Sequence, residues 1–203
     1  EGGAVALNLP EPFDNEEVYK ELCIKTLHGQ NKDALAKMQK GNWKYDIIED
    51  GYKCNMTDIM AAIGLVELTR YKNDTLKKRK HICDSYSEKI SKYGWAELPV
   101  FVSSDSASSY HLFPLRIKEI SESQRDEIIK NIFDKDVSVN VHFIPVPMMT
   151  YYKNKGYDIK KYPVTYDNYS RGISLPVFFD LDKTQADSVI QACIASVEKL
   201  IRS

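Results

Sequence analysis

No run of apolar residues in this sequence reaches the roughly 18 needed to span a bilayer, and no basic-then-apolar leader opens it. Its four cysteines, Cys23, Cys54, Cys83 and Cys193, include no Cys-x-x-Cys pair. That argues against a disulfide framework and against a thiolate zinc site, so reduced and mostly buried thiols are expected. Excess charge of one sign is missing as well: 28 Lys and Arg meet 29 Asp and Glu, for a net charge of −1. The basic run Lys77-Lys78-Arg79-Lys80 reads as a solvated helix face, and nothing points to a nucleic-acid surface. His81 and Cys83 stand two residues apart, hence on different faces of a helix, and make no metal-ligand pair. These absences together lead to the expectation of a cytoplasmic protein with no membrane or nucleic-acid partner.

What is present is ample core material, 43% hydrophobic residues in 203, enough for one domain or two small ones. The chain is organised around Gly51-Tyr52-Lys53-Cys54-Asn55-Met56-Thr57-Asp58-Ile59. A turn-prone Gly and a basic residue precede Thr57-Asp58, an N-cap followed by a first-turn acid, which predicts a helix whose N-terminus points at Lys53. From Ile59 to Val66 every residue except Gly64 is apolar, so this helix is expected to be a strut buried on nearly all sides. Beyond Thr69 the pattern changes to a charged helix with apolar Leu76, Ile82, Cys83, Tyr86 and Ile90 on one face, making one long and kinked linking element.

Around it, a strand is predicted at residues 4–7, starting almost at the first residue as in a fragment, and then a helix from about Asn15 to Leu27, capped by Asn15 and stopped at His28-Gly29. Residues 30–50, with Trp43 and Tyr45, read as an irregular excursion containing one short helix, and residues 95–109 as a loop. A strand is expected over 110–117, with His111, Phe113, Leu115 and Ile117 on one face. Ser121-Glu122-Ser123-Gln124 resembles a capping box opening a helix whose stripe is Ile128, Ile129, Ile132 and Phe133. A second strand over 137–144 would place Asn140 and His142 opposite Val137, Val139, Val141 and Phe143. Residues 151–169 look loop-like, 172–177 form a third strand, and Asp182 caps a final amphipathic helix. The expected class is α/β with an α+β small domain: the linking helix, and a three-stranded sheet covered by helices.

Five segments in order carry a resemblance. The Gly51–Ile59 stretch resembles the G-Y-(N/K)-Y-(R/N)-M-(T/S)-D-I signature of the DegT/StrS family of pyridoxal-phosphate-dependent nucleotide-sugar aminotransferases. Glu1-Gly2-Gly3-Ala4-Val5 is similar to the end of that family's T-T-G-E-G-G, and Leu27-His28-Gly29 to its L-x-x-H-G. Val139-Asn140-Val141-His142-Phe143-Ile144-Pro145 resembles its V-N-V-H-(Y/F)-I-P, and Ile173-Ser174-Leu175-Pro176-Val177-Phe178 its L-S-L-P-L-F. The resemblance implies the C-terminal half of a fold-type-I enzyme, with residues 1–74 left from the large cofactor domain and 75–203 forming the small domain. It implies pyridoxal phosphate as cofactor, a keto-sugar nucleotide as acceptor, glutamate as amino donor, a role in polysaccharide or glycoconjugate synthesis, and a homodimer with a shared active site. The family's cofactor-bearing lysine would fall about six residues ahead of Glu1, so no lysine here takes that role and no catalytic residue or metal ligand is assigned. A sugar dehydratase of the same family, or a non-catalytic oligomerisation or binding module, stands as the alternative.

Lys53 and Asn55 are the candidate cofactor contacts. A cation ahead of a helix N-terminus opposes the dipole unless an anion joins it, and family members place there an asparagine that reaches the cofactor phosphate across the dimer. A solvated loop lysine is the competing reading of Lys53, and capping of the following helix that of Asn55. Asn140 and His142 are the candidate substrate contacts, set against a hydrogen-bonded histidine at a domain seam. Many relatives carry a second histidine where this chain has Pro147, so that side chain has no counterpart here. His28 reads as a charge at a helix C-terminus rather than as a base.

Overall fold

The computed structural model describes residues 2–31 and 44–202. The expected short helix within 30–50, Trp43 and the Glu1 end of the first motif fall outside them, wholly or in part. The chain divides into two compact units, Glu1–Thr69 and Arg70–Ser203.

In the first unit, helix α1 (Asn15–Thr26) is capped by Asp14, whose carboxylate accepts from the amides of Glu16 and Glu17. The expected cap, Asn15, instead exchanges hydrogen bonds with the backbone of Leu9. At the other end His28 and Gly29 both adopt positive φ, 59° and 73°, and the Gly29 amide returns to the Ile24 carbonyl. This is the left-handed helix stop that His28-Gly29 predicts. No strand forms at residues 4–7, which have no regular structure and therefore no partner ladder. Helix α2 (Asp58–Arg70) starts where Thr57-Asp58 predicts, but none of its residues is buried, and Ile59 is 75% exposed. Hydrophobicity all round a helix reports that cover would be favourable, not what supplies it, so the expectation of a buried strut is corrected for this chain.

The second unit opens on a π-helical turn, Tyr71–Thr75, which runs into α3 (Leu76–Ile90). A π-helical turn thus stands where the linking helix is expected to change character. Three antiparallel strands follow in the order β1 (Ala96–Glu97), β2 (Phe113–Ile117), β3 (Gly172–Leu175), with Phe113 opposite Leu175 and Ala96 opposite Ile117. Strand alternation sends Phe113, Leu115 and Ile117 into the core, each completely buried and contributing roughly 1.5–3 kcal/mol. His111, expected on that face, lies ahead of the strand and is exposed. Residues 137–144 do not form the second strand: only Asn140 pairs, through an isolated bridge to Ser174, although Val137 and Val139 remain buried. The third strand of the sheet is instead β1, in a stretch that reads as loop.

Helices α4 (Glu122–Phe133) and α7 (Lys183–Ile201) complete the core with α3. Each begins with a capping box, Ser121 with Gln124 and Asp182 with Gln185. The stripe of α4 holds at Ile128 and Ile132, but Phe133 is exposed and Arg125 is buried in its place. The tyrosine-rich 151–169 segment is helical rather than loop-like: α5 (Thr150–Asn154), a 3-10 turn at Ile159–Lys161 and α6 (Pro163–Ser170). Tyr86 joins α3 to the sheet, its ring edge-on to Phe113 at 5.2 Å and its hydroxyl donating to the Pro176 carbonyl. Phe179, just beyond β3, lies under both Arg70 (4.2 Å) and Lys78 (3.5 Å).

Burial pushes the thiols of Cys83 and Cys193 from the ordinary 9.0 up to about 12, whereas Cys23 and Cys54 are exposed. Titration of the native protein with a disulfide reagent near pH 8 should therefore modify Cys23 and Cys54 quickly, with Cys83 and Cys193 reacting only after denaturation. Because these pKa values are raised in the folded state, the associated stability is complete below about 9 and is lost as pH rises toward about 12. Rapid native labelling of Cys83 or Cys193 would contradict the packing.

Candidate functional site

Two places hold the residues singled out by sequence, one in each unit. In the first, the C-terminal carbonyls of α1 are taken up by the Gly51–Asn55 segment: Lys25 accepts from Tyr52, and Thr26 from Cys54 at 3.0 Å. His28 in turn donates to the Tyr52 carbonyl, and Leu27 and Lys53 form an antiparallel bridge. The close approach needs glycine twice. A Cβ on Gly29 would lie 1.8 Å from the Glu49 carbonyl oxygen, and one on Gly51 would lie 2.1 Å from the Gly29 nitrogen. The L-H-G and G-Y-K-C-N motifs are thus the two halves of one local structure. From it Lys53 projects, exposed, with its ammonium donating to Asn55 Oδ1 at 2.5 Å. Asn55 therefore engages Lys53, and the pair keeps spare N–H donors on both the ammonium and the amide, a donor set suited to an oxyanion.

In the second unit, a cleft of about 470 Å³ opens on the face of β2 turned away from the core. Pro114 and Arg116, which alternate with the buried Phe113, Leu115 and Ile117, form its floor; Val141, His142 and Phe143 form one wall, and Thr165, Asn168 and Tyr169 of α6 contribute to another. The His142 ring packs edge-on against Phe143 at 4.6 Å, and the peptide between them is cis. Asn140 does not line the cleft. Its backbone exchanges two hydrogen bonds with Ser174, and its side-chain oxygen accepts from the Val141 amide, so it shapes the wall that carries His142. Pro147 is half-buried in a 3-10 turn, Val146–Met148, and is not among the lining residues.

Arg116, Asn168 and Tyr169 are the cleft residues that sequence reasoning missed. Arg116 donates to Asn168 Oδ1 and to Glu97, and Glu97 also accepts from Arg171. Arg171 in turn holds Asp167, whose pKa is lowered mainly by that hydrogen bond. The cleft's cation is thus largely neutralised by Glu97, and polar groups are found on the floor (Arg116) and on both walls (His142; Thr165, Asn168 and Tyr169). The Tyr169 hydroxyl donates to Glu122, and its pKa is raised first by burial and then by that bond. Thr165, Asn168 and Tyr169 stand at i, i+3 and i+4, a helical spacing present in the sequence but hidden by the turn-forming residues around it. Among the described residues no group of three His, Cys, Asp or Glu could hold a metal. Both places present side-chain donors and acceptors that can bind and orient a ligand.

Comparison with known proteins agrees with the order of the motifs. A family model described as the DegT/DnrJ/EryC1/StrS aminotransferase family matches residues 1–194. The spore coat polysaccharide biosynthesis protein SpsC of Bacillus subtilis is 33% identical over 183 residues, 88% of this chain and 46% of SpsC. The uncharacterized protein MJ1066 of Methanocaldococcus jannaschii is 33% identical over 204 residues, 99% of this chain and 50% of that protein. Among solved structures, the PMP-form of a putative sugar aminotransferase, Spr1654 from Streptococcus pneumoniae, superposes with a TM-score of 0.87 at 40% identity, covering 95% of this chain and 48% of that one. Its PLP-form gives a TM-score of 0.85 at 36% identity, with coverage of 95% and 46%. The chain spans about half the length of the relatives it matches.

Proposed function

Because this chain belongs to the DegT/DnrJ/EryC1/StrS aminotransferase family and has the mixed helix and three-stranded-sheet architecture of its fold-type-I members, we propose that it is the C-terminal half of a pyridoxal-phosphate-dependent aminotransferase that converts a keto-sugar nucleotide to an amino sugar. Glutamate is the amino donor in this reading, and the product serves polysaccharide or glycoconjugate synthesis in the cytoplasm. Residues 1–74 would come from the large cofactor-binding domain and 75–203 would be the small domain. The similarity to SpsC and to the PLP- and PMP-forms of Spr1654 supports this reading. The observation that carries it is the Lys53–Asn55 pair, held out by two interlocked family motifs and offering donors of the kind a phosphate takes.

When bound, pyridoxal phosphate supplies an electron sink for labilising a Cα–H bond. This chain's part is to hold and orient. In this reading Lys53 and Asn55 hold the cofactor phosphate of a second subunit, with the dipole of α2 adding a favourable field. His142, with Phe143 as its platform, holds the sugar end of the substrate, and Asn140 positions it through Ser174 and Val141.

Replacing Lys53 with Ala should weaken cofactor binding about ten- to a hundredfold, the equivalent of a charge-assisted hydrogen bond of roughly 1.5–3 kcal/mol. Lys53→Asn should lose less, since an amide still donates. Absorbance titration of the full-length apo-protein with pyridoxal phosphate measures both. Equal affinity in wild type and Lys53→Ala would return Lys53 to a solvated lysine.

A further inference from the structure

The excursion from Met148 to Tyr166 carries Lys153, Lys155, Lys160 and Lys161, all exposed, and among the described residues none of the four enters an ion pair. The acids nearby are committed elsewhere. Asp158 accepts from the Lys160 amide at 3.0 Å, Glu122 accepts from the hydroxyls of Tyr166 and Tyr169, and Asp167 holds Arg171. Interleaved with the lysines are exposed amphipathic and apolar side chains: Tyr151 is 63% exposed and Val164 73%, with Met149, Tyr157 and Tyr162 also open. Contacts gather several of these side chains into two groups. Tyr152 packs edge-on to Tyr151 and to Tyr157, Lys155 lies 5.0 Å over the Tyr151 ring, and Met148, Ile159, Lys160, Pro163 and Tyr166, together with Glu122 of α4, line one groove of about 570 Å³.

From this surface we infer that residues 148–166 dock the protein peripherally on an anionic lipid bilayer. Lysines with long apolar stems set around tyrosine and aliphatic side chains match the layered chemistry of a membrane interface, where ammonium groups meet headgroup phosphates and amphipathic rings sit at headgroup depth. A nucleic acid fits less well. Tyr151, Tyr152 and Tyr157 are edge-packed on one another rather than offered as a row of stacking faces, Met149 and Val164 gain nothing from a phosphodiester track, and the whole chain carries a net charge of only −1. That no helix of the described residues is long and apolar enough to cross a membrane leaves this mode open, because it needs no crossing segment. The excursion lies outside the cleft's lining except at Thr165, so docking and substrate binding are separable.

The test is co-sedimentation of the full-length protein with vesicles of phosphatidylcholine alone and of phosphatidylcholine mixed with phosphatidylglycerol. The expected result is binding only to the mixed vesicles, lost as salt approaches about 1 M and the screening length falls to about 3 Å. Lys160→Gln with Lys161→Gln should weaken it about 20- to 30-fold, while Lys183→Gln, remote in sequence, should not. Equal partition onto both vesicle types, or wild-type binding by the double variant, would overturn the inference. So would tighter binding to a single-stranded oligonucleotide than to the mixed vesicles.

Discussion

Arg125→Ala is expected to lower the stability of the second unit by about 3–5 kcal/mol, the range for breaking a buried charged hydrogen-bond network. Arg125 is 1% exposed on the inner face of α4. Its guanidinium donates to the carbonyls of Tyr169 (2.7 Å) and Gly172 (3.2 Å), at the end of α6 and the start of β3, and lies 4.7 Å over the Tyr169 ring. It also reaches Asp126 at 2.6 Å and approaches Glu122 at 3.8 Å. Removing it takes a donor from the Gly172 carbonyl, at a cost of about 1–3 kcal/mol, and one of two from the Tyr169 carbonyl, which keeps the Arg171 amide, and it leaves a cavity. Arg125→Lys should recover little, because a single ammonium cannot reproduce the planar fork. Urea unfolding followed by a probe in the second unit measures the loss, and a change below about 1 kcal/mol in Arg125→Ala would show that the network is not a structural tie. The same side chain anchors the end of α6, the helix that supplies Asn168 and Tyr169 to the cleft, so the cleft should open as stability falls.

The second large effect belongs to the first unit. Gly51→Ala would place a methyl 2.1 Å from the Gly29 nitrogen, 2.6 Å from the His28 carbonyl carbon and 2.9 Å from the Gly29 Cα, all backbone atoms with no rotamer to yield. The expected cost is about 3 kcal/mol, the upper end for overpacking. Hydrogen exchange should report it as roughly a hundredfold loss of protection at the amides of His28 and Cys54, which bond to Tyr52 and Thr26. Amides of the second unit such as Ile117 and Ser174 should not change, since they lie in a separate compact unit. Lys53→Ala, by contrast, should leave His28 and Cys54 protected while weakening cofactor binding in the proposed function. If Gly51→Ala kept full protection at Cys54, the interlock of the two motifs would be refuted.

What the sequence determined by itself about this protein is what local chemistry encodes. The caps at Ser121 and Asp182 and the left-handed stop at His28-Gly29 follow from interactions within a few residues, and the start of α2 at Asp58 and the buried stripe of α7 also fall where the pattern puts them. Family membership was legible for a related reason, since the motifs hold close backbone approaches, such as Gly29 against Glu49 and Gly51 against Gly29, that tolerate few residue types. Only the tertiary structure decided which segments pair and what lies in the cleft. Ala96–Glu97 is a strand because Arg116 and Ile117 lie opposite it, whereas residues 137–144, with a better alternating pattern, meet Ser174 at a single point and stay irregular. Arg125 rather than Phe133 lies in the core, where its guanidinium reaches two carbonyls 44 and 47 residues away. Asn168 reaches the cleft because α6 folds back over the outer face of β2, bringing it to Arg116 across 52 residues. Pairing and burial at that separation depend on which surfaces meet, and a pattern read along the chain carries no record of what lies opposite it.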